Sequence, residues 1–177
     1  VIRSIDGGKT FAPVRVAHGD THDFWIHPTA NNIIGLADDG GAEISFDKAR
    51  SWSSIMNQPT AQFYRVNTDN VFPYKVYGGQ QDNSSVIIAS RNNLGALTER
   101  DWTYGPGCES AFLAFDPNNP LNVYGGCYQG YIELLDRKNG EIKNIQAYPT
   151  MNLAIDPKNM KYRFNWNAPI VVSAHDP

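Results

Sequence analysis

The chain has 177 residues, of which 41% are hydrophobic and 19% charged, a composition typical of a folded domain and not of a disordered segment. A net charge of −3, with acidic and basic residues interspersed, argues against a nucleic-acid or anionic-membrane partner. No apolar run approaches the ~20 residues that span a bilayer, and 12% aromatic residues with 15 glycines and 11 prolines favour β structure.

The first motif in the chain is the octet Ser4-Ile5-Asp6-Gly7-Gly8-Lys9-Thr10-Phe11, which fits the Asp-box pattern Ser-x-Asp-x-Gly-x-Thr-aromatic. Asp and Ser side chains bond to backbone groups of a turn, and glycine adopts positive φ without strain. A degenerate copy lies 41 residues later at Ser45-Phe46-Asp47-Lys48-Ala49-Arg50-Ser51-Trp52. We predict two structural hairpins whose terminal aromatic rings pack between sheets. The residues assigned to them are Ser4, Asp6, Gly8, Thr10, Phe11, Ser45, Asp47 and Trp52.

The loop His18-Gly19-Asp20-Thr21-His22-Asp23 places two histidines and two aspartates within six residues. Imidazole nitrogens and carboxylate oxygens are common ligands of divalent cations, so Asp20, His22 and Asp23 are candidate metal ligands. The same short polar side chains also cap strand ends and bond to loop backbone. Both interpretations remain open from the sequence.

Three segments repeat a pattern in which an apolar strand runs into a polar or Gly-rich turn and then into a second apolar strand. The glycine that they share recurs at positions 35, 78 and 125, so the periods are 43 and 47 residues. This is the length of one four-stranded β-propeller blade. The segments are Ile33-Ile34-Gly35 to Asp47, Val76-Tyr77-Gly78-Gly79 to Ser90, and Val123-Tyr124-Gly125-Gly126 to Asp136.

Each repeat begins with a short strand that ends at a turn, at 24–28, 64–67 and 112–117, and a fourth start is predicted at 168–177. Proline fits such strand ends because it presets a turn and cannot donate to a ladder. One helical turn is predicted within 94–101. If 111–115 and 123–127 pair as a hairpin, Cys108 and Cys127 lie near each other, either as a disulfide or as two free thiols.

The turns between the second and third strands of the repeats, and the loops that lead into the first strands, carry the candidate functional residues. Asp38, Asp39 and Asp82 are candidate catalytic carboxylates, since glycoside hydrolysis needs an acid and a base or nucleophile that flank the scissile bond. Turn aspartates also act as backbone caps. Amide side chains that both donate and accept, together with nearby aromatic rings, are typical of a sugar-binding groove. The candidate ligand-binding residues are Gln80, Gln81, Asn83, Tyr128, Gln129 and Trp166, with Tyr64 near them. The aromatic residues also suit a core between blades.

Four strings resemble one group of large bacterial secreted proteins that carry BNR (Asp-box) repeats. The strings are Asp38-Asp39-Gly40-Gly41, Gln62-Phe63-Tyr64, Tyr77-Gly78-Gly79-Gln80-Gln81-Asp82-Asn83-Ser84 and Lys161-Tyr162-Arg163-Phe164-Asn165-Trp166-Asn167-Ala168-Pro169-Ile170. The group is related to the sortilin ectodomain and to xyloglucan-cleaving propellers. The resemblance implies a propeller of seven or more blades that is exported from the cell.

The sequence therefore predicts an all-β chain of about four propeller blades, each of four antiparallel strands, within a seven-bladed or larger propeller. Blades are assigned to 22–57, 62–103 and 109–150, an outer half-blade to 1–16 and an inner half-blade to 164–177. We expect a secreted or periplasmic segment that binds or hydrolyses a polysaccharide. The alternatives are a non-catalytic, sortilin-like propeller that binds a protein or peptide, and a structural part of a surface assembly. Expected partners are a polysaccharide or protein ligand and the remaining blades or partner chains. No cofactor is expected beyond a structural divalent cation.

Overall fold

The computed structural model describes residues 1–58, 60–148, 154–173 and 175–176. Within these ranges the chain is all-β, as predicted, and its only helical elements are single 3-10 turns at Glu99–Asp101, Tyr128–Gly130 and Pro157–Asn159. The first of them confirms the helical turn predicted within 94–101. In the described ranges no helix has the length and apolar character needed to cross a bilayer.

The chain divides into two compact units, Val1–Thr60 (unit 1) and Ala61–Pro177 (unit 2). Unit 1 holds a two-stranded antiparallel sheet and a three-stranded antiparallel sheet of order β3-β4-β5. Ile34 and Leu36 on the central strand form its buried apolar face. The strands are β1 (Ile2–Arg3), β2 (Ala12–Pro13), β3 (Thr21–Ile26), β4 (Ile34–Asp38) and β5 (Gly41–Ser45).

Unit 2 holds two four-stranded antiparallel sheets, each a meander in which sequence neighbours pair. This is the strand arrangement that the repeats predict for a blade. The first sheet consists of β6 (Phe63–Thr68), β7 (Lys75–Gln80), β8 (Ser85–Ala89) and β9 (Trp102–Tyr104). The second consists of β10 (Leu113–Phe115), β11 (Asn122–Gly126), β12 (Ile132–Asp136) and β13 (Glu141–Asn144).

The two sheets of unit 2 share one hydrophobic core. Tyr77 stacks on Phe115 of the other sheet with ring centroids 6.2 Å apart, and Asn67 Nδ2 donates to the Leu113 carbonyl across the same contact (3.1 Å). The Tyr77 hydroxyl donates to buried Asp69 at 2.6 Å; burial, and then the bond to this carboxylate, raise the pKa of Tyr77. The buried cluster consists of Tyr77, Ile87, Ala111, Leu113, Val123 and Leu135.

The three repeated glycines occupy the same position in their sheets, on the second strand between two antiparallel neighbours. They differ in how much room surrounds them. A Cβ atom at Gly125 would clash with the Pro106 carbonyl oxygen, whereas at Gly35 it would meet nothing closer than Trp25 at 3.8 Å. The close approach of the backbone therefore requires glycine at 125 and not at 35.

The first Asp-box hairpin is held by side-chain oxygens. Asp6 Oδ1 accepts from the Lys9 and Thr10 N–H groups at 3.1 and 2.9 Å, and Asp6 Oδ2 accepts from the Thr10 hydroxyl at 2.6 Å. Ser4 Oγ accepts from the Gly8 N–H at 2.8 Å and donates to Asp6. The hydrogen bonds from Thr10, hydroxyl first, lower the pKa of Asp6 to about 2.

The degenerate second copy reproduces this bonding contact for contact. Asp47 Oδ1 accepts from the Arg50 and Ser51 N–H groups at 3.0 and 2.9 Å, and its Oδ2 accepts from the Ser51 hydroxyl at 2.6 Å. Ser45 Oγ accepts from the Ala49 N–H at 2.8 Å. The pKa of Asp47 is again lowered to about 2, chiefly by the Ser51 hydroxyl.

The two hairpins also share a left-handed backbone. Lys48 and Ala49 have φ of 62° and 63°, where the first copy has Gly7 and Gly8 at 75° and 86°. The first copy meets this requirement with glycine, which carries no Cβ atom to clash there. The second copy adopts the conformation with a lysine and an alanine, at a cost in strain.

The terminal aromatic residues of the two hairpins have different environments. Trp52 is half-buried and its Nε1 donates to the Arg15 carbonyl at 3.0 Å. Phe11 is 60% exposed, so the prediction that it packs between sheets is wrong. β1 and β2 are two residues long and offer no apolar sheet face, and phenylalanine has no polar group to anchor it.

Two further strand predictions differ from the structure. The β3-β4-β5 sheet has no fourth strand within the described residues, because the Ser53 hydroxyl accepts the Ile44 N–H that a fourth strand would use (2.9 Å). The described residues of 168–177 form no strand either. Pro169 cannot donate to a ladder, and the Ile170 side chain lies instead near Gly126. Ala174 and Pro177 lie outside the described residues.

Candidate functional site

The β7–β8 turn of unit 2 carries four of the predicted site residues in a fixed backbone conformation. The Gln80 N–H donates to the Ser84 carbonyl at 2.8 Å, and the Asn83 N–H donates back to the Gln80 carbonyl at 3.0 Å. Asp82 and Ser84 have φ of 60° and 67°, a region that Asp tolerates better than most residues. The tight turn projects the Gln81 and Asp82 side chains from one end of the sheet.

Glu109 holds this turn from the neighbouring loop. Its Oε2 accepts from the Asp82 N–H at 2.9 Å and from Gln81 Nε2 at 3.0 Å. Gln81 Nε2 also donates to Asp82 Oδ1 at 2.7 Å. The Gln81 amide nitrogen therefore donates to one oxygen of each of the two carboxylates and lies between them.

Aromatic side chains continue the network from the other side of Gln81. Tyr128 and Trp166 stack with ring centroids 4.8 Å apart and planes 17° apart. Trp166 Nε1 donates to the Tyr64 hydroxyl at 3.1 Å, and that hydroxyl donates to Gln81 Oε1. Trp166 is nevertheless 45% exposed. We call Tyr64, Gln81, Tyr128 and Trp166 the platform; it joins a stacked ring pair to an amide that contacts two carboxylates.

The loops that bear the platform are tied together covalently. Cys108 and Cys127 form a disulfide with Cα atoms 5.0 Å apart, which settles the alternative that the sequence left open. Cys108 precedes Glu109 and Cys127 precedes Tyr128, so the bond joins the loop that holds Gln81 to the turn that carries the stacked tyrosine.

Polar contacts anchor the segment that carries Trp166. Asn167 Nδ2 donates to the Ser110 carbonyl at 2.5 Å, and Arg65 Nε donates to Asn167 Oδ1 at 3.1 Å. Because Asn167 follows Trp166 directly, these two hydrogen bonds hold the Trp166 segment against loops that are distant in sequence.

The structure therefore brings four of the predicted site residues together, namely Gln81, Asp82, Tyr128 and Trp166. The other three predicted ligand-binding residues lie in the same turns. Gln80 pairs through its backbone, Asn83 Nδ2 donates to the Gln81 carbonyl at 3.1 Å, and the Gln129 carbonyl accepts from Gln146 at 3.5 Å. Sequence reasoning missed the bridging position of Glu109 and the anchoring by Asn167. The position of Glu109 beside a cysteine was the available signal for the first.

Asp38 and Asp39 lie in unit 1, whereas the platform belongs to unit 2. Asp38 Oδ1 accepts from the Gly40 N–H at 2.9 Å, as a turn cap does. Asp39 Oδ1 lies 2.6 Å from His22 Nε2. These contacts fit the structural interpretation of both residues, whereas Asp82 alone of the three catalytic candidates joins the site in unit 2.

The candidate metal ligands do not form a metal site. Asp23 Oδ1 accepts from the Phe24 N–H at 2.8 Å, and Asp20, directly before β3, has φ of 47°. Across the described ranges, no group of three or more His, Cys, Asp or Glu side chains is arranged to hold a metal ion. The His22–Asp39 contact is a pair, which is fewer ligands than a protein metal site provides.

Unit 1 contains a buried carboxylate that the sequence did not indicate. Glu43 is 1% exposed, and its Oε2 has no hydrogen-bond partner. Oε1 accepts a long bond from the Ala17 N–H at 3.4 Å. Burial, reinforced by the negative charge of Asp38, raises the pKa of Glu43. The buried Asp38 Oδ2 also lacks a partner.

Comparison with known proteins adds no identification, since no protein-family model and no curated protein matches the chain. The interpretation of the site depends on its own geometry.

Proposed function

We propose that unit 2 is a carbohydrate-binding segment whose ligand stacks on the platform. The observation that carries the proposal is the chain of contacts from the Tyr128–Trp166 stack through Tyr64 to Gln81. It holds a half-exposed indole ring in a fixed orientation beside amide and carboxylate groups.

The chemistry of the platform suits a sugar ring. A pyranose has one face of polarised C–H groups and an edge of hydroxyls. The negative face of an aromatic ring attracts the C–H face, while amides and carboxylates accept and donate at the hydroxyl edge. Gln80, Asn83 and Gln129 are half-buried in the turns that carry Gln81 and Tyr128. A few polar groups around an aromatic surface are the usual composition of a ligand site.

The carboxylates favour binding over hydrolysis. Glycoside hydrolysis needs two carboxylates that flank the scissile bond, and Asp82 and Glu109 face each other across the Gln81 amide nitrogen. The facing oxygens, however, both accept from the Gln81 amide, and Glu109 also accepts from the Asp82 N–H. The glycosidic oxygen of a substrate would have to displace that amide. We therefore assign the pair to turn stabilisation within a binding site.

We propose further that both units are parts of a β-propeller related to secreted BNR-repeat proteins. Three observations support this architecture: the 43- and 47-residue periods, the two four-stranded meanders that share a core in unit 2, and the paired Asp-box hairpins. The repeat periods and the pair of packed four-stranded meanders are typical of adjacent propeller blades. A structure of the longer protein in which successive sheets do not surround a common axis would refute it.

The disulfide supports an extracellular or periplasmic location, because such bonds persist in oxidising compartments. A thiol count on unfolded protein taken from its native source tests this. We expect no free thiol; two free thiols would contradict the proposed location.

The binding proposal is tested by calorimetric titration with soluble neutral oligosaccharides, including cello-, manno- and xylogluco-oligosaccharides. We expect Trp166→Ala to weaken binding about tenfold, equivalent to about 1.4 kcal/mol. Tyr104→Ala is the matched control, since Tyr104 is an aromatic residue of the same unit, 67% exposed and outside the platform. Unchanged affinity in a folded Trp166→Ala protein, or no response to any glycan in the series, would refute the proposal. The second result would favour the protein-binding alternative.

A further inference from the structure

We infer that the ligand is an extended oligosaccharide of at least three sugar rings, which lies along the row formed by Tyr162, Phe164 and Trp166. The inference depends on the proposed carbohydrate-binding function and extends it from a single platform to a series of subsites. It specifies the ligand class as a linear glycan rather than a terminal monosaccharide.

The row consists of aromatic residues at alternate positions of one segment. Tyr162, Phe164 and Trp166 are 52%, 50% and 45% exposed as whole residues, so none of the three is buried. Two residues of extended chain span at most about 7 Å. This is comparable with the length of one sugar ring and its linkage, so successive rings of a glycan match successive aromatic residues.

Each ring is supported from one side by a residue of the preceding sheet or its loops. Trp166 stacks on Tyr128, and the Phe164 ring lies so close to Gly130 that a Cβ atom there would come within 2.5 Å of it. Phe164 and Trp166 therefore rest on the same turn, Tyr128–Gly130, and are neighbours. Tyr162 packs edge-on against Tyr148 with centroids 5.3 Å apart.

The residues between the rings are polar, which favours a glycan over an apolar protein surface. Arg163 and Asn165 are exposed, and Arg163 Nε donates to the Pro157 carbonyl at 2.9 Å. Lys161 Nζ lies 4.8 Å and 5.3 Å from the centroids of the Tyr148 and Tyr162 rings. Each aromatic surface is thus followed by hydrogen-bonding groups, an alternation that matches the faces and hydroxyls of a sugar chain.

The test is the dependence of affinity on ligand length, measured by titration with cello-oligosaccharides of one to six glucose units. We expect affinity to rise about tenfold or more as the ligand grows to about four units and then to level off. Phe164→Ala and Tyr162→Ala should weaken binding of the six-unit ligand about tenfold and leave the two-unit ligand unchanged. Trp166→Ala should weaken both.

Two further variants serve as comparisons. Phe72→Ala is the matched control, since Phe72 is a phenylalanine of unit 2 that is 85% exposed and lies outside the row. Gly130→Ala acts on the row and the platform together, because Gly130 has φ of 72° and ends the turn that carries Tyr128, and it should weaken binding of both the two-unit and the six-unit ligand. Thermal unfolding of every variant verifies that the fold is kept.

The possible failures are distinguishable. If the two-unit and six-unit ligands bind wild type equally well, or if Phe164→Ala leaves six-unit binding unchanged, the row is not a binding site although the platform is. If no length binds wild type, the proposed carbohydrate-binding function fails for neutral β-linked glucans, and this inference fails with it.

Discussion

The two Asp-box hairpins predict opposite effects on stability for two opposite substitutions, one in each copy. Gly8 and Ala49 occupy the same place in the two copies, with φ of 86° and 63°, and both donate to the serine that opens the motif at 2.8 Å. A Cβ atom at Gly8 would meet nothing closer than Phe11 Cζ at 3.9 Å. Exchanging the two residue types therefore changes backbone strain without creating a clash.

The expected change in the free energy of unfolding is the difference between two opposing effects. A residue with a Cβ atom in the left-handed region costs about 1–2 kcal/mol. Glycine loses about 0.5–1 kcal/mol more than alanine on folding, because its unfolded chain has more freedom. The free energy of unfolding should thus rise by about 0.5–1 kcal/mol in Ala49→Gly and fall by about the same amount in Gly8→Ala.

Urea unfolding at neutral pH, followed by tryptophan fluorescence and circular dichroism, measures both changes. Ala12→Gly is the control, since Ala12 lies in a strand with ordinary φ and should lose about 0.5–1 kcal/mol. If Ala49→Gly lowers stability as Ala12→Gly does, the second hairpin does not have the left-handed backbone described here. The equivalence of the two copies would then be refuted.

Three other predictions concern stability. Replacing both cysteines, Cys108→Ser with Cys127→Ser, should lower the free energy of urea unfolding by about 3 kcal/mol, the chain-entropy value for a loop of this length; a change below about 1 kcal/mol would contradict it. Because the pKa of Glu43 is higher in the folded protein than the usual 4.5, its contribution to stability should be fully present below pH 4.5. That contribution should be lost as the pH rises through the folded pKa. Glu43→Gln should remove this decline and be more stable at neutral pH, and an unchanged pH profile would refute the effect. Gly125→Ala should cost about 3 kcal/mol and Gly35→Ala about 1 kcal/mol or less in the same assay, because only the first places a Cβ atom against backbone; equal losses would contradict this.

The sequence predicted the strands well where the repeat and turn chemistry agreed. The glycines at 35, 78 and 125 placed the second strand of each sheet, and the polar turns marked Gln81 and Tyr128, which one network of contacts joins in the structure. The signal was strong because alternating apolar residues and turn residues act locally, within one hairpin.

What the sequence did not predict depends on contacts between distant segments. Glu109 bridges Gln81 and Asp82 from another loop, and Ser53 accepts the Ile44 N–H in place of a fourth strand. The burial of Glu43 depends likewise on the packing of unit 1 around it. No local pattern records such contacts, since each is fixed only when the sheets are packed.

The cysteine pair also determines how the molecule responds to a cut in its backbone. The disulfide encloses 109–126, a stretch that contains the β10–β11 hairpin and the exposed turn at 117–119. A protease that cleaves in this turn leaves both pieces covalently joined, so the cut becomes visible in electrophoresis only after reduction. Glu109 and Tyr128 lie on opposite sides of that cut, so the two halves of the platform stay connected after cleavage.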